Sequence, residues 1–342
     1  MNSHLTKLQK RLCNALQDGL PICPRPFAEL AKPLDTDEET VLRQTGKLKD
    51  MGVIQRIGAL MDYRALGRTG TLVAAHIPQA NLKDVTEAVN AVGNVSHNYL
   101  REHYYNLWFT LQAATDEEIK TTLSVLSSRF GIEFHSLPVK RVFKLNVRFD
   151  AENRDSRPCR KASAVRRPVD CGVFRDSLFV AGRSQGEVKL TTSQKLILSK
   201  LQEGLEVTAR PFDFLCGEGL GIADALAIVQ QLIEAGLIRR IAAVVDHRRL
   251  GFVANILFVC KVGQDKIVEA GRSLAAVETV SHCYQRGTFE GWPYNLFAML
   301  HGRSIDRIQE QIDEFVGIRQ IDSFELLPTA AELKKQPVKY RF

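Results

Sequence analysis

Two short segments combine imidazole, phenol and guanidinium side chains at a spacing of two. They are His97, Tyr99, Arg101 and His103 in VSHNYLREH, and His282, Tyr284 and Arg286 in VSHCYQR. Residues two apart share one face of a strand, so each segment presents these groups together. Arg can grip a carboxylate through two parallel N–H bonds, and His, with a reference pKa near 6.5, can hand over a proton around neutral pH. A strand can also carry His and Arg simply as solvated side chains. Recurrence of the same triplet in two stretches that otherwise diverge favours a shared role. The sequence holds no Ser-His-Asp array, P-loop, G-x-G-x-x-G or H-E-x-x-H. What remains is a cationic, aromatic, proton-donating surface suited to a flat ligand bearing several acids.

The elements that position these strands are themselves repeated. QDGLPICPRPFAEL (17–30) recurs as QEGLEVTARPFDFL (202–215), DMGVIQRIGALMDYRALG (50–67) as EAGLIRRIAAVVDHRRLG (234–251), and Tyr105, Asn106, Leu107 as Tyr294, Asn295, Leu296. The chain is a covalent pseudo-dimer with a period near 185 residues. Leu5, Leu8, Leu12 and Leu16 fall on one helical stripe, a second helix starts near Pro26, and Asp35 and Thr36 can cap a third that Gly52 ends. Val53 to Leu60 and Tyr63 to Leu66 then predict a two-stranded wing, completing a winged helix-turn-helix. Thr71 to Pro78, Leu82 to Val92, Val95 to His103, Tyr105 to Gln112, Asp116 to Phe130 and Ile132 to Phe143 alternate as βαββαβ. That is a ferredoxin-like sheet with one face left for its sister and room for a cavity between them. The fold class is therefore α+β, with the tandem units 1–67 and 68–150, a basic linker 151–188, and the second copy at 189–251 and 252–342.

The 342 residues, 45% apolar and 25% charged, exclude disordered and collagenous classes. Of the net charge of +7, the two copies carry only +3 and +1, while the linker NRDSRPCRKASAVRRPVDCG and its flanks supply +3. A recognition helix should offer Lys or Arg to phosphate. DEETVLRQTGKLKDMG opens with three acids, and GIADALAIVQQLIEAG has no cation at all, which argues against DNA as a partner. Seven cysteines without C-x-x-C point to reduced thiols. The charged start and the lack of any long apolar run predict a cytoplasmic protein with no membrane span.

A winged helix followed by βαββαβ resembles the leucine-responsive, AsnC-type regulators at the level of fold, and fold alone does not settle function. A more specific resemblance lies in HNYLREHYYNLWF (97–109) and HCYQRGTFEGWPYNLFAMLHGR (282–303), which are similar to the two related subunits of siroheme decarboxylase. That resemblance spans nearly the whole chain outside the linker. It implies a fused enzyme, a carboxy-lyase that converts two acetates of siroheme to methyls, giving 12,18-didecarboxysiroheme on a route to d-type haem or haem. The iron arrives with the substrate, so no separate cofactor or protein-held metal is implied. The expected partners are siroheme and its product, with further self-association left open. On this resemblance His97 and His282 are acids or substrate-orienting groups, with His103 an additional candidate in the first copy, and axial ligation of the substrate iron is the alternative role for any of them. Arg101 and Arg286 should clamp carboxylates. Tyr99, Tyr105, Tyr284 and Tyr294 should donate to or pack on the ring. Arg56 and Arg240 on the wings, and Arg148 and Arg341 near the copy ends, either reach peripheral carboxylates or are solvated. A DNA-binding regulator and a non-catalytic tetrapyrrole carrier are the competing functions.

Overall fold

The computed structural model describes residues 5–145, 147–152, 189–217 and 219–342. Most of the basic linker, including Cys159 and Cys171, therefore lies outside the described residues. The first copy runs α1 (Lys7–Asp18), α2 (Pro26–Ala31), α3 (Glu38–Asp50), β1 (Ile54–Met61), β2 (Thr69–Ala75), α4 (Leu82–Ala91), β3 (Val95–Arg101), β4 (Leu107–Ala113), α5 (Asp116–Phe130) and β5 (Phe134–Leu145). The second runs α6 (Thr192–Leu201), α7 (Ile222–Glu234), β6 (Ile238–Val245), β7 (Ala254–Cys260), α8 (Ile267–Ala276), β8 (Val280–Arg286), β9 (Leu296–Gly302), α9 (Ile305–Arg319) and β10 (Phe324–Lys335). No helix among the described residues is long and apolar enough to cross a membrane.

Local chemistry sets the helix ends. Thr6 with Gln9 and Thr191 with Gln194 form matching capping boxes at the starts of α1 and α6. The cap of α3 is Asp37, whose carboxylate accepts the Thr40 N–H at 2.7 Å, one to two residues later than the expected Asp35 and Thr36. In the second copy the counterpart of α2 shrinks to a single 3-10 turn, Asp213–Leu215.

The expected two-stranded wing does not form within either copy. Residues 63–67 are a turn, closed by the Asp62 carboxylate accepting the Arg64 backbone N–H at 3.0 Å. Each copy instead contributes one wing strand, and β1 pairs antiparallel with β6, from Ile54 opposite Val245 to Met61 opposite Ile238. The apolar residues of this ribbon, among them Ile54, Ile57, Ile238 and Ile241, join α1, α3, α6 and α7 in one core shared by both helical units.

Each βαββαβ unit has the ferredoxin-like strand order, β3-β4-β2-β5 and β8-β9-β7-β10. Its last strand is longer than the other three, twelve residues against seven. The first half of β5 pairs with β2 up to Pro138, and its second half, from Val139 to Leu145, pairs with β8 of the other copy. β10 does the same, leaving β7 at Pro328 and pairing with β3 from Thr329 to Lys335. Proline has no N–H for a ladder, and it stands at the hand-over point in both copies. The eight strands thus close into a barrel, with α4, α5, α8 and α9 packed outside on two separate cores.

A third apolar cluster fills part of the barrel interior. Its centre is Trp292, 2% exposed, carried by the β8–β9 loop, which is four residues longer than the β3–β4 loop. Its ring centroid lies 4.8 Å from Tyr294, 5.4 Å from Trp108, and 5.6 Å from both Tyr105 and His103. Truncating a buried Trp removes its burial and leaves a void, so Trp292→Ala should cost about 3–5 kcal/mol, read as a lowered urea midpoint.

Candidate functional site

Between the barrel interior and the β1–β6 ribbon lies a cavity of about 480 Å³ lined by both copies, within the range of small-molecule sites. The aromatic plug forms part of its wall through Trp108, Leu257 and Phe297. β3 brings His97, Tyr99 and Arg101 to it, and β8 brings His282, Tyr284 and Arg286. Because β3 pairs with β10 and β8 with β5, the two triplets belong to one closed barrel.

Each histidine is oriented by the serine before it. Ser96 Oγ lies 2.9 Å from His97 Nδ1, and Ser281 Oγ lies 2.9 Å from His282 Nδ1. Nε2 is therefore the ring nitrogen left for a ligand. Each arginine ties its strand to the other copy: Arg101 donates to the Leu327 carbonyl at 2.7 Å and to Thr329 Oγ1 at 3.1 Å, and Arg286 donates to the Leu137 carbonyl at 2.8 Å. Both remain buried with an Nε–H that has no protein partner, and such a donor needs water or a ligand to offset its desolvation. Neither has a carboxylate among its hydrogen-bond acceptors. The guanidinium groups sit over the neighbouring tyrosine rings, 5.5 Å for Arg101 on Tyr99 and 4.8 Å for Arg286 on Tyr284.

The cavity also gathers groups that strand periodicity did not single out. Arg64, Arg239 and Lys335 line it with Arg240, Arg101 and Arg286, and Asp62, paired with Arg64, is the acid on the wall. His247 and His301, which read from sequence as ordinary surface or core residues, are on the wall too, as are Tyr63 and Tyr340. Lys335 sits opposite His97 in the β10–β3 ladder, a neighbour visible only once the cross-copy pairing is known. The segments that leave the last strands also reach the wall, through Phe149 and Tyr340. Gln17 holds Phe149 through two hydrogen bonds of 2.9 Å, and Gln202 holds Tyr340 in the same two-bond pattern.

Several expected contacts lie elsewhere. His103 falls beyond the end of β3, where the two-residue alternation stops, and pairs through Nε2 with Glu325 at 2.8 Å. Tyr294 donates to the same carboxylate at 2.7 Å, and Tyr105 packs edge-on against Trp292 and Phe289. These three residues build the plug rather than the cavity wall. Arg56 folds back over Gly58 towards Gly204 and does not line the cavity, whereas Arg240 does and donates to the Val147 carbonyl at 3.2 Å. Arg148 forms an ion pair with Asp18 at 2.5 Å outside the wall, and Arg341 is exposed. His76 and His135 stack on Tyr104 and Phe289, away from the cavity.

Burial among cations governs the titration of these groups. Burial, then Lys335, pushes the His97 imidazole down to about 4. Burial, then Arg239, His97, Arg286 and Lys144, pushes His282 down to about 3. His247 falls to about 4 for similar reasons. Burial raises Tyr284 to about 12 and also raises Tyr99, so both phenols stay protonated donors. Arg101 falls only to about 10 and remains charged. Without ligand, the wall therefore carries neutral imidazoles among charged guanidinium groups. Between about pH 6.5 and 4 these histidines are charged in the unfolded chain and neutral in the folded one. The unfolded state then binds more protons, so stability should rise with pH across this window and be lost on acidification. Urea midpoints measured through the window check this, and His282→Asn should flatten the slope.

Comparison with known proteins agrees with this architecture. The AsnC-like ligand binding domain family matches residues 65–144 and 249–334, and a siroheme decarboxylase NirDL-like HTH domain matches residues 9–54. A siroheme decarboxylase of Hydrogenobacter thermophilus is 33% identical over 96% of this chain and 94% of its own length. The siroheme decarboxylase NirDL subunit of Paracoccus denitrificans is 32% identical over 90% of this chain and 88% of its own. Two crystal structures of a siroheme decarboxylase NirDL, one in co-complex with an iron-uroporphyrin III analogue, each superpose with a TM-score of 0.70 over 98% of the chain, at 29% and 28% identity, covering 94% and 95% of theirs. With this identity sustained along both copies and the matching helical and ligand-binding modules, the chain belongs to the siroheme decarboxylase family of carboxy-lyases.

Proposed function

We propose that this chain removes CO2 from two acetate side chains of siroheme to give 12,18-didecarboxysiroheme, with His97 and His282 as proton donors and Arg101 and Arg286 as carboxylate grips. The observation that carries the reading is the meeting of both His-Tyr-Arg triplets in one cavity whose wall, among the described residues, holds six cationic side chains and one acid. The relative crystallised with an iron-uroporphyrin analogue supports a flat, iron-bearing polyacid as the ligand.

The chemistry follows from the balance of charge and protons. In each step the bond between methylene and carboxylate carbons breaks, CO2 leaves, and the electron pair stays on the methylene carbon, shared with the conjugated macrocycle. A proton then forms the methyl C–H. One proton is consumed per CO2, no net redox change occurs, and the substrate ring itself serves as the electron sink, so the proposal needs no organic cofactor. The arginines hold the carboxylates that do not react, and the aromatic plug keeps that side of the site dry. Arriving carboxylates reverse the local field: next to anions an imidazole binds a proton more tightly, so the imidazoles of the wall take up protons when substrate enters. Carbon dioxide departs as a neutral molecule, which the cations have no means of retaining.

Incubating the protein anaerobically with siroheme should yield a tetrapyrrole lighter by two CO2 by mass spectrometry. His97→Ala or His282→Ala should slow turnover by ~10²-fold or more, the usual scale for a lost general acid. Arg286→Lys, which gives up the bidentate grip, should weaken siroheme binding in a spectral titration. An unchanged substrate mass after prolonged incubation sinks the proposal. Binding itself should take up protons, visible as a buffer-dependent enthalpy in calorimetry.

A further inference from the structure

We infer that Ser281 and His301 form a proton path that serves His282 alone, so that the second copy holds the imidazole that is resupplied. This rests on the decarboxylase reading above and assigns unequal tasks to its two halves.

Ser281 Oγ is a junction. It lies 2.9 Å from His282 Nδ1, 3.0 Å from His301 Nδ1 and 3.0 Å from the Met299 carbonyl oxygen. A hydroxyl has one proton to give. Given to Met299, it leaves both imidazoles to donate their Nδ1–H into Oγ. Given to His282 Nδ1, it leaves Oγ to accept the Nδ1–H of His301, and an unbroken line of donors runs from His301 through Ser281 to His282. Behind His301 stands His247, its ring 5.1 Å away, its Nδ1 3.5 Å from Lys335 Nζ and its buried Nε2 without a hydrogen-bond partner.

The first copy begins in the same way and then stops. Ser96 meets His97 at 2.9 Å, but its other contact is Thr110 Oγ1 at 2.7 Å. Gln112 occupies the strand position of His301, and its Oε1 accepts from the Tyr340 hydroxyl at 2.8 Å. An amide does not take up and release a proton near neutral pH, so no relay reaches His97 along this strand.

The transfer balances. With the substrate's carboxylates in place, the proton taken up on binding sits on His301, and His282 is neutral with its proton on Nε2. This Nε2–H goes to the methylene carbon as the C–CO2 bond breaks, Nδ1 takes the Ser281 proton, and Oγ takes the Nδ1 proton of the His301 imidazolium, which leaves His282 neutral with its proton on Nδ1. One C–H forms, one CO2 leaves, and His301 ends neutral. Ser281 and His301 are positioning and relay residues and do not themselves touch the reacting carbon.

The test uses the full chain with siroheme, anaerobically, in single turnovers followed by mass spectrometry. His301→Gln, which copies the first half, and Ser281→Ala should each slow decarboxylation ~10-fold or more, below the full loss of a general acid. Each should let the monodecarboxylated species accumulate at saturating siroheme, with the single-turnover rate falling by more than the affinity. Because both cut one path, the double variant should be no slower than the slower single. Ser281→Thr should outpace Ser281→Ala, and added imidazole should speed His301→Gln. Wild-type rates in both singles, multiplicative losses in the double, or rate losses that only track lost siroheme binding would each overturn the relay. Should the wild-type protein leave siroheme unchanged, the decarboxylase reading itself falls.

Discussion

The site depends on one pairing, that of the distal half of each copy's last strand with a strand of its sister. Without β5 on β8 and β10 on β3, each ferredoxin-like unit would be an open sheet with an unsatisfied edge, and the two His-Tyr-Arg triplets would sit on unrelated surfaces. With it, the backbone of Leu145 lies opposite His282 and that of Lys335 opposite His97. The arginines reinforce the closure by donating to carbonyls at the hand-over points, Arg101 to Leu327 and Arg286 to Leu137. Gly271 of α8 serves the same end, since a Cβ there would come within 2.4 Å of the Phe143 ring brought over by β5. Pairing and function are therefore inseparable: the residues that seal the barrel are neighbours of those that line the cavity.

Closing the barrel collects like charges. Among the described residues, six cations around a cavity with one acid repel each other, and each buried guanidinium loses hydration. The fold lowers that cost in specific ways. Backbone carbonyls and tyrosine faces receive Arg101 and Arg286, Asp62 neutralises Arg64, and the histidines give up their charge altogether. What stays uncompensated is a positive field and two orphan Nε–H donors, features that a polycarboxylate relieves on entry. A ligand that binds only the folded state stabilises it by mass action, so relief of this like-charge repulsion contributes to affinity.

Much of this was legible in sequence, and the failures have physical causes. The duplication follows from segments that recur between the two halves, the βαββαβ order and the shared face of His97, Tyr99 and Arg101 follow from periodicity within one copy, and the structure keeps those three residues on one wall. His103 was misplaced because alternation holds only while the strand lasts, and β3 ends at Arg101. The wing was expected to pair with itself because a hairpin is the usual partner of a lone strand, yet β1 found β6 of the other copy. Arg239 and Lys335 carry no signal within one copy, and His247 and His301 read as ordinary residues, because the wall they share is assembled from both copies; His301 itself stands on β9 beside Ser281 of its own copy. One signal did exist. Gln17 and Gln202 recur in the duplicated QDGL and QEGL segments, and both turn out to hold the chain leaving a last strand.

Fusion explains why such a site can be lopsided. Two identical protomers related by a twofold axis must place the same residue in both halves. A single chain is free of that constraint, and this one uses the freedom at matching positions: Tyr63 against His247, Gln112 against His301, Leu145 against Lys335, and a short loop against the longer one that carries Trp292. Three of these differences add a titratable nitrogen on the second copy's side, and the fourth supplies the plug. A substrate whose two reacting acetates are not equivalent gains nothing from a symmetric cavity. On the function and relay proposed above, divergence at these positions would let one half carry proton traffic while the other frames the ligand, with the barrel holding both in register.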